Sequence, residues 1–319
     1  MSVELPILLS FQALSGDGGI LITGQLSYSS LHDLSFKAFT RRRTFRTILA
    51  LYRTRHFAQQ SVSLIFDEAT MVDATTDKSG AFSLVAKLPA APTVLTGIRL
   101  PDGQWVRMAE GLYSLKVQAP PTHTIVVSDI DDTLLHSNIS NRLLKLRTLM
   151  LTRMEHRKAI ATMRKVICSF HDKGATTFYL SNSEQNLYPL IYRFLDHNAF
   201  PSGALFLKQM RRLRDVMRKI HASERDVHKL TWLGKLLELF PDRHFILLGD
   251  NTQNDLPIYL QTAERFPKQV QSIYIRKVIE KPVHEELIQS YSAKIPNTVI
   301  HYDSKFHPED SGPDSKSDS

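Results

Sequence analysis

TIVVSDIDDT, residues 124–133, is the stretch that decides the fold class of this chain. A continuous apolar run such as residues 125–127 is typical of a parallel strand that is buried on both faces. TTFYLSNS at residues 176–183 and HFILLGD at residues 244–250 have the same form. Longer stretches with helical spacing separate the three runs. Alternating strands and helices predict an α/β domain with a parallel sheet and flanking helices.

Polar side chains follow each of these strands at the point where the apolar run stops. They are Asp129 and Asp131, then Ser181 and Asn182, then Asp250 and Asp255. Because the carboxyl ends of parallel strands meet at one edge of the sheet, these side chains should lie close together. Carboxylates at the end of a buried strand are costly unless they are paired or bind a metal. The pattern therefore favours a metal and phosphoryl-transfer site over a structural acidic turn.

The residue types suggest a role for each member of this cluster. Asp129 can attack phosphorus to give an aspartyl-phosphate, which divides one difficult hydrolysis into two easier steps. Asp131 can protonate the leaving oxygen and then activate water. Ser181 and the backbone N–H of Asn182 can hold the phosphoryl oxygens as their charge grows. Thr133 is a further expected contact to the substrate, as is the Asn182 side chain.

A divalent cation is expected because two carboxylates facing a phosphate dianion would repel it. Ligands that are all oxygen, with retained water, favour Mg²⁺. The predicted ligands are Asp129, Asp131, Asp250 and Asp255.

A lysine is also needed to offset the negative charge around the transferred group. Lys229 follows His228 and starts the helical stretch that precedes HFILLGD. Lys235 on the same stretch is the alternative. Lys229 is preferred because the start of a helix points toward the sheet edge, whereas Lys235 is explained as an ordinary solvated lysine.

These motifs resemble those of the haloacid-dehalogenase-like (HAD) phosphatases. DIDDT, Ser181, Lys229 and GDNTQND (residues 249–255) stand in the order of that superfamily's four motifs. The chain also contains YLSNSEQNLYPL (residues 179–190), FPSG (residues 200–203) and FPKQVQSIYIRKV (residues 266–278). With these segments, about residues 123–279 further resemble the catalytic domain of actin-patch-type phosphatidate phosphatases. The resemblance implies a HAD-like Rossmannoid sheet, Mg²⁺-dependent hydrolysis of phosphatidate to diacylglycerol and phosphate, and a small β-rich domain before the catalytic one.

The chain departs from this family at three places. Small Ser or Gly residues usually follow the Gly-Asp pair, where this chain has Asn251 and Thr252. A Pro-Glu pair usually follows the last aspartate, where this chain has Leu256-Pro257, and Pro-Trp is common where Glu184-Gln185 stands. No departure removes a catalytic carboxylate, so the phosphatase chemistry is better supported than the lipid substrate.

The first part of the chain has a different pattern. Short β-type runs at residues 19–29, 61–66, 80–88, 93–100 and 111–117 predict a small all-β sandwich-like domain. A proline linker at residues 118–122 marks its end. The predicted domains are a β-sandwich-like domain at 1–120, the catalytic domain at 121–300 and a disordered acidic tail at 301–319.

Charge suggests an anionic partner. The 319 residues include 40 Lys plus Arg and 32 Asp plus Glu, a net charge of +8. Positive charge is concentrated at residues 41–55, 142–165 and 208–219. One interpretation of segment 208–219 is a basic helix that contacts an anionic bilayer together with the neighbouring Leu205 and Phe206. Arg211 and Arg212 of this segment are the expected substrate contacts. A solvated face on a core-packed helix explains the segment equally well. Nucleic acid is not expected, because no groove-reading motif or interleaved aromatics accompany the charge.

The location of the protein is a further expectation. The first eleven residues lack a basic region and a cleavage site, and no run of about 18 apolar residues occurs. A single cysteine fits a reducing compartment. The sequence thus predicts a cytoplasmic, peripherally membrane-bound phosphatidate phosphatase. The alternatives are a phosphatase for a soluble phosphomonoester and a membrane-binding adaptor with a vestigial phosphatase domain.

Overall fold

A computed structural model describes residues 5–28, 55–109, 111–130, 157–209, 222–252, 254–304 and 306. Several predictions fall outside these ranges. They concern Asp131, Thr133, Arg211, Arg212, residues 41–54 and 142–156 of two basic segments, and residues 307–319 of the tail. The described chain divides into two compact units.

Two sheets form the first unit. The larger contains β1 (Ile7–Gly16), β2 (Gly19–Tyr28), β3 (Arg55–His56), β6 (Ala81–Ala86), β8 (Arg107–Met108) and β9 (Val117–Gln118). The smaller contains β4 (Ser61–Phe66), β5 (Thr70–Thr75) and β7 (Leu95–Arg99), all paired antiparallel. Apolar side chains of both sheets share one core, where the rings of Phe11 and Phe66 lie 6.4 Å apart. Antiparallel pairing thus dominates where the sequence predicts an all-β domain.

The second unit is built on a six-stranded sheet. Its strands are β10 (Thr124–Asp129), β11 (Thr176–Glu184), β12 (Ala204–Lys208), β13 (His244–Asp250), β14 (Val270–Arg276) and β15 (Val299–Asp303). They lie in the order β12-β11-β10-β13-β14-β15, and the pairs from β11 to β15 are parallel. From β10 the chain proceeds to β11 on one side and later to β13 on the other. This change of direction creates a crevice at the carboxyl ends of adjacent strands.

Between these strands the described chain forms five α-helices, as the sequence predicts. They are α1 (Arg157–Asp172), α2 (Tyr188–His197), α3 (Ala222–Leu239), α4 (Asp255–Arg265) and α5 (Pro282–Ser292). The fold is therefore mixed α/β with a parallel sheet and flanking helices. In its core the ring of Phe178 on β11 lies 6.0 Å from that of Phe240, and the ring of Phe206 on β12 lies 4.7 Å from that of Trp232.

The expectation for Leu205 and Phe206 is wrong. Both residues belong to strand β12 and are buried in the core, so they are not the apolar side of a basic helix. The stretch between TTFYLSNS and HFILLGD, for which the sequence predicts helices, contains this strand between α2 and α3. A five-residue strand beside a basic segment gives little periodicity to distinguish it from the first turn of a helix.

Four other elements differ from the sequence prediction. The apolar residues near the start of the chain form β1, and TMVDAT forms β5. Only the last residue of the predicted strand at 111–117 lies in a strand, β9. At the other end, residues 301–303 belong to β15, and Phe306 is buried with its ring 5.6 Å from that of Tyr274. The sheet therefore continues past the predicted start of the tail.

The two units meet in the sequence between Ala119 and Pro120, at the proline linker. The first unit also includes Ser183–Phe194 and, among the described residues, 207–209. Gln185 Nε2 donates a 3.3 Å hydrogen bond to Ser10 Oγ of β1, which ties the first of these segments to the β-sheet. Within the described residues, every helix is too short or too polar to cross a membrane.

Candidate active site

The ends of three neighbouring strands bring together the polar residues predicted from the sequence. Asp129 ends β10, where it is in register with Leu180 of β11, the residue before Ser181. On the other side Ser128 is in register with Leu248 of β13, two residues before Asp250. Asp129, Ser181 and Asp250 are each at most 1% exposed. The structure therefore places these three residues at one buried sheet edge.

Lys229 links two of the predicted carboxylates. It lies in α3, and its Nζ donates a 2.8 Å hydrogen bond to Asp129 Oδ1 and a second bond to Asp255 Oδ1. Burial alone would lower the pKa of this ammonium group, but Asp129 and Asp255 outweigh that effect and hold the pKa well above its ordinary value. Lys229 is therefore charged at any physiological pH.

The alternative lysine lies elsewhere. Lys235 is half-buried on the same helix, and its Nζ sits 4.8 Å from the ring centre of Trp232. Burial lowers the pKa of this lysine. Of the two lysines considered from the sequence, the structure brings Lys229 to the carboxylates.

Asp255 begins helix α4 and reaches back to the end of β13. Its Oδ2 accepts a 3.4 Å hydrogen bond from the backbone N–H of Asp250. A Cβ on Gly249 would lie 2.6 Å from that same oxygen, so the close approach depends on glycine. Below it Tyr259 donates a 3.0 Å hydrogen bond to Leu248 O, and burial together with Asp255 raises the pKa of this tyrosine well above its usual range. Glycine in the Gly-Asp pair thus makes room for Asp255.

Asp250 is held by Thr252, one of the departures from the family, and lies close to Arg276. Its Oδ1 accepts hydrogen bonds from Thr252 N at 2.7 Å and from Thr252 Oγ1 at 2.6 Å. On the other side, Arg276 Nη2 lies 3.8 Å from Asp250 Oδ2, and this guanidinium is almost fully buried. The unusual residue type after the Gly-Asp pair was the available signal for Thr252, whereas nothing in the sequence pointed to Arg276.

The segment of Ser181 is also anchored from two directions. Nε2 of His228 lies 3.1 Å from Ser181 O, a contact that requires the proton on Nε2 because a carbonyl only accepts. Tyr179 Oη donates a 2.7 Å hydrogen bond to Pro201 O in the downstream FPSG motif. A Cβ on Gly203 of that motif would lie 1.9 Å from Thr177 O. The FPSG segment therefore packs closely against β11. Asn182, next to Ser181 in that strand, is also buried, with 2% of its surface exposed.

The predicted site is described in part. Asp131 and Thr133, together with Arg211 and Arg212, lie outside the described residues. Among the residues that are described, no group of three or more His, Cys, Asp or Glu side chains is arranged to hold a metal ion. The described half of the site is thus a buried charge cluster of Asp129, Lys229, Asp255 and Asp250.

Comparison with known proteins identifies the same region. Residues 124–277 match the model of the family described as "Phosphatidate phosphatase APP1, catalytic domain". The chain is 30% identical over 171 residues to phosphatidate phosphatase APP1 of Saccharomyces cerevisiae, which covers 52% of this chain and 28% of that protein. It is 26% identical over 155 residues to an uncharacterized protein of Schizosaccharomyces pombe, covering 48% and 25%.

The chain therefore spans about a quarter of the length of these relatives. A solved carbohydrate esterase of Corynascus thermopiles (Myceliophthora fergusii) aligns over 75% of this chain and 88% of its own, with 11% identity and a TM-score of 0.23, too low to indicate a shared fold. The family match, in contrast, contains every motif quoted above from DIDDT to GDNTQND. Residues 124–277, just under half of the chain, are thus similar to the catalytic domains of the phosphatidate phosphatase APP1 family.

Proposed function

We propose that this chain is a Mg²⁺-dependent phosphatidate phosphatase of the HAD-like class, which hydrolyses phosphatidate to diacylglycerol and phosphate. One observation carries the proposal: within the family match, buried Lys229 joins Asp129 at the end of one strand to Asp255 beyond the end of the next. A purely structural protein has little reason to bury this many charges, because each costs several kcal/mol to desolvate.

The first chemical step is assigned to Asp129. Lys229 binds Oδ1, so we assign the attack on phosphorus to Oδ2. As the new bond from Asp129 to phosphorus forms, the bond from phosphorus to the glycerol oxygen breaks, and Asp131 donates a proton to that oxygen. Diacylglycerol leaves, and the phosphoryl group remains on Asp129.

The second step regenerates the site. Asp131, now a carboxylate, takes a proton from a water molecule whose oxygen attacks the same phosphorus. The bond between Asp129 and phosphorus breaks, which releases inorganic phosphate. Ser181 and the N–H of Asn182 are positioned next to Asp129 in the sheet, and we assign them to the phosphoryl oxygens. Lys229 offsets the charge of Asp129 throughout.

The excess of negative charge in the site supports Mg²⁺ as the metal of the proposed function. Asp129, Asp250 and Asp255 supply three negative charges, against two positive charges on Lys229 and Arg276, so the described cluster has an excess of negative charge. Buried carboxylate oxygens in such a setting are the ligands that Mg²⁺ prefers. We assign Asp129, Asp131 and Asp250 to the metal, with Asp255 as a fourth candidate that also binds Lys229. When bound, the ion would neutralise and orient the substrate phosphate.

The choice of a lipid as the substrate is a separate part of the proposal. It is supported by the name of the Saccharomyces cerevisiae relative and by the concentration of Lys and Arg at residues 41–55, 142–165 and 208–219. Basic segments favour an anionic surface, and Arg211 and Arg212 are assigned to the substrate headgroup. We propose a cytoplasmic protein that associates peripherally with anionic membranes and does not bind nucleic acid.

A comparison of two substrates tests this assignment. Phosphate release from phosphatidate in detergent micelles should rise with the surface concentration of the lipid at constant bulk concentration, and should far exceed release from a soluble aryl phosphate. A rate of phosphate release that does not depend on the surface concentration of phosphatidate, or that is higher with the aryl phosphate, would support a soluble phosphomonoester as the substrate. Liposome binding without turnover of either compound would support the adaptor.

A further inference from the structure

We propose that Thr252 is a positioning residue for the Mg²⁺ site, because its side chain fixes the orientation of the Asp250 carboxylate. The inference rests on the metal of the proposed function and goes beyond it. Position 252 is one at which this chain departs from the small residues that are usual after the Gly-Asp pair. The inference therefore concerns a feature of this chain.

The geometry at Asp250 shows how the orientation is fixed. Rotation of an aspartate carboxylate about its Cβ–Cγ bond costs little energy, so a single hydrogen bond leaves the two oxygens a broad range of positions. Thr252 supplies two donors to the same oxygen, with N at 2.7 Å and Oγ1 at 2.6 Å from Asp250 Oδ1. The second oxygen, Oδ2, is thereby directed to the side of Arg276 Nη2, 3.8 Å away. The backbone donor is available to any residue, but the hydroxyl donor requires Thr or Ser.

Asn251 keeps the turn that carries Thr252 in place. Its Oδ1 accepts hydrogen bonds from Val278 N at 2.8 Å and Ile279 N at 3.2 Å. Its Nδ2 donates to Ile279 O at 2.5 Å and to Tyr302 Oη at 2.9 Å, and its backbone N–H donates to Arg276 O at 3.1 Å. Five hydrogen bonds therefore join this fully buried residue to the last residue of β14, to the segment that follows β14 and to β15. Thr252 projects from an anchored turn.

A positioning role and a merely structural role give different results. Thr252 is itself exposed, so replacing it should leave the fold intact. Residues that orient a metal ligand typically change metal affinity 10- to 100-fold when they are removed. A hydroxyl that only stabilises the turn would change thermal stability and leave metal affinity unaltered.

The test is calorimetric titration of the full chain with Mg²⁺, without substrate, for the wild type, Thr252→Val and Thr252→Ser. We expect Thr252→Val to bind Mg²⁺ about 10-fold more weakly and Thr252→Ser to bind within about 2-fold of the wild type. Thr231→Val is the matched control, because Thr231 is also exposed and its hydroxyl donates a 2.7 Å hydrogen bond to Val227 O. It should keep wild-type affinity.

The outcomes separate this inference from the proposed function. Wild-type affinity in Thr252→Val, or equal weakening in Thr231→Val, would overturn the positioning role alone. A wild-type chain that binds no Mg²⁺ would overturn the proposed metal as well. Weak binding in Thr252→Val that serine restores would support the inference.

Discussion

Lys229 is the residue on which the charge balance of the site depends. Its side chain has no measurable exposure, and it joins Asp129 to Asp255. Removing one member of a buried ion pair is far more costly than the net value of the pair, because the remaining charge stays buried without compensation. In this site the loss would leave two carboxylates facing each other.

Replacing Lys229 with Met should therefore reduce stability strongly. We expect the free energy of unfolding of the metal-free protein at neutral pH to fall by about 3–5 kcal/mol, as measured by urea denaturation. Lys235→Met, the same change on the same helix, should cost less than about 1 kcal/mol, because it removes only a half-buried contact with Trp232. Equal stability of the two variants would contradict the paired role of Lys229.

A double variant keeps this test valid if Lys229→Met does not fold. Asp255→Asn removes one of the two carboxylates that the lysine leaves behind. Lys229→Met/Asp255→Asn should then be more stable than Lys229→Met alone, an interaction that a double-mutant cycle measures.

At the scale of elements, the turn from β13 to α4 brings the site together. Gly249 lies directly under the Asp255 side chain, with only 2.6 Å between an added Cβ and Asp255 Oδ2. Because Lys229 and the N–H of Asp250 both hold Asp255, neither this side chain nor the strand can move without loss. The start of α4 and the end of β13 are thus fitted to one another.

Gly249→Ala should disturb this fit. We expect a loss of about 1–3 kcal/mol in stability and at least about a 10-fold fall in kcat with phosphatidate, because Asp255 and Lys229 must shift. Gly234→Ala provides the control: Gly234 lies within α3, and an added Cβ would meet nothing closer than Arg265 Nη1 at 3.9 Å. It should raise stability by about 0.5–1 kcal/mol without affecting kcat. A harmless Gly249→Ala would contradict the proposed fit.

Sequence reasoning succeeded best where one physical signal determines the answer. Buried parallel strands are continuous apolar runs, which is why the strands that carry Asp129, Ser181 and Asp250 were predictable. It failed for β12, since five residues carry too little periodicity. Lys229 and Lys235 are six residues apart on a helix turning about 100° per residue, so they lie about 120° apart. Which of the two lysines faces the sheet depends on how the helix packs. Proximity to the start of the helix, the reason for preferring Lys229, is only an approximate guide to that packing.

The hydrogen bonds of Asn251 were beyond sequence reasoning for another reason. Asn251 attracts notice only as a departure from the family. Its partners include Ile279 and Tyr302, 28 and 51 positions along the chain, and such pairings are decided by the sheet order.

On the scale of the whole molecule, buried tyrosines limit stability at high pH. Burial raises the pKa of Tyr113, Tyr179, Tyr188 and Tyr259 above the ordinary value of 10.0. In the unfolded chain these groups lose their protons near that ordinary value, while the folded chain retains them. The unfolded state then binds fewer protons, so stability falls as pH rises.

We therefore expect alkaline unfolding that starts near pH 10 and steepens by up to about 1.4 kcal/mol per pH unit for each such tyrosine. Tyrosinate absorbance should show a step that coincides with the loss of circular dichroism. Tyr188→Phe should make that step smaller and the pH dependence shallower. Smooth ionisation of all tyrosines near pH 10 in a chain that remains folded would contradict this account.

The central claim is that a buried carboxylate at the end of β10 attacks the phosphate of phosphatidate. The direct measurement is phosphate release from phosphatidate in mixed micelles by the wild type and by Asp129→Asn, each with Mg²⁺ and with a chelator. The account predicts release by the wild type only with Mg²⁺, and a rate at least about 1,000-fold lower for Asp129→Asn. Equal rates for the two proteins, or wild-type release that persists in the chelator, would contradict it.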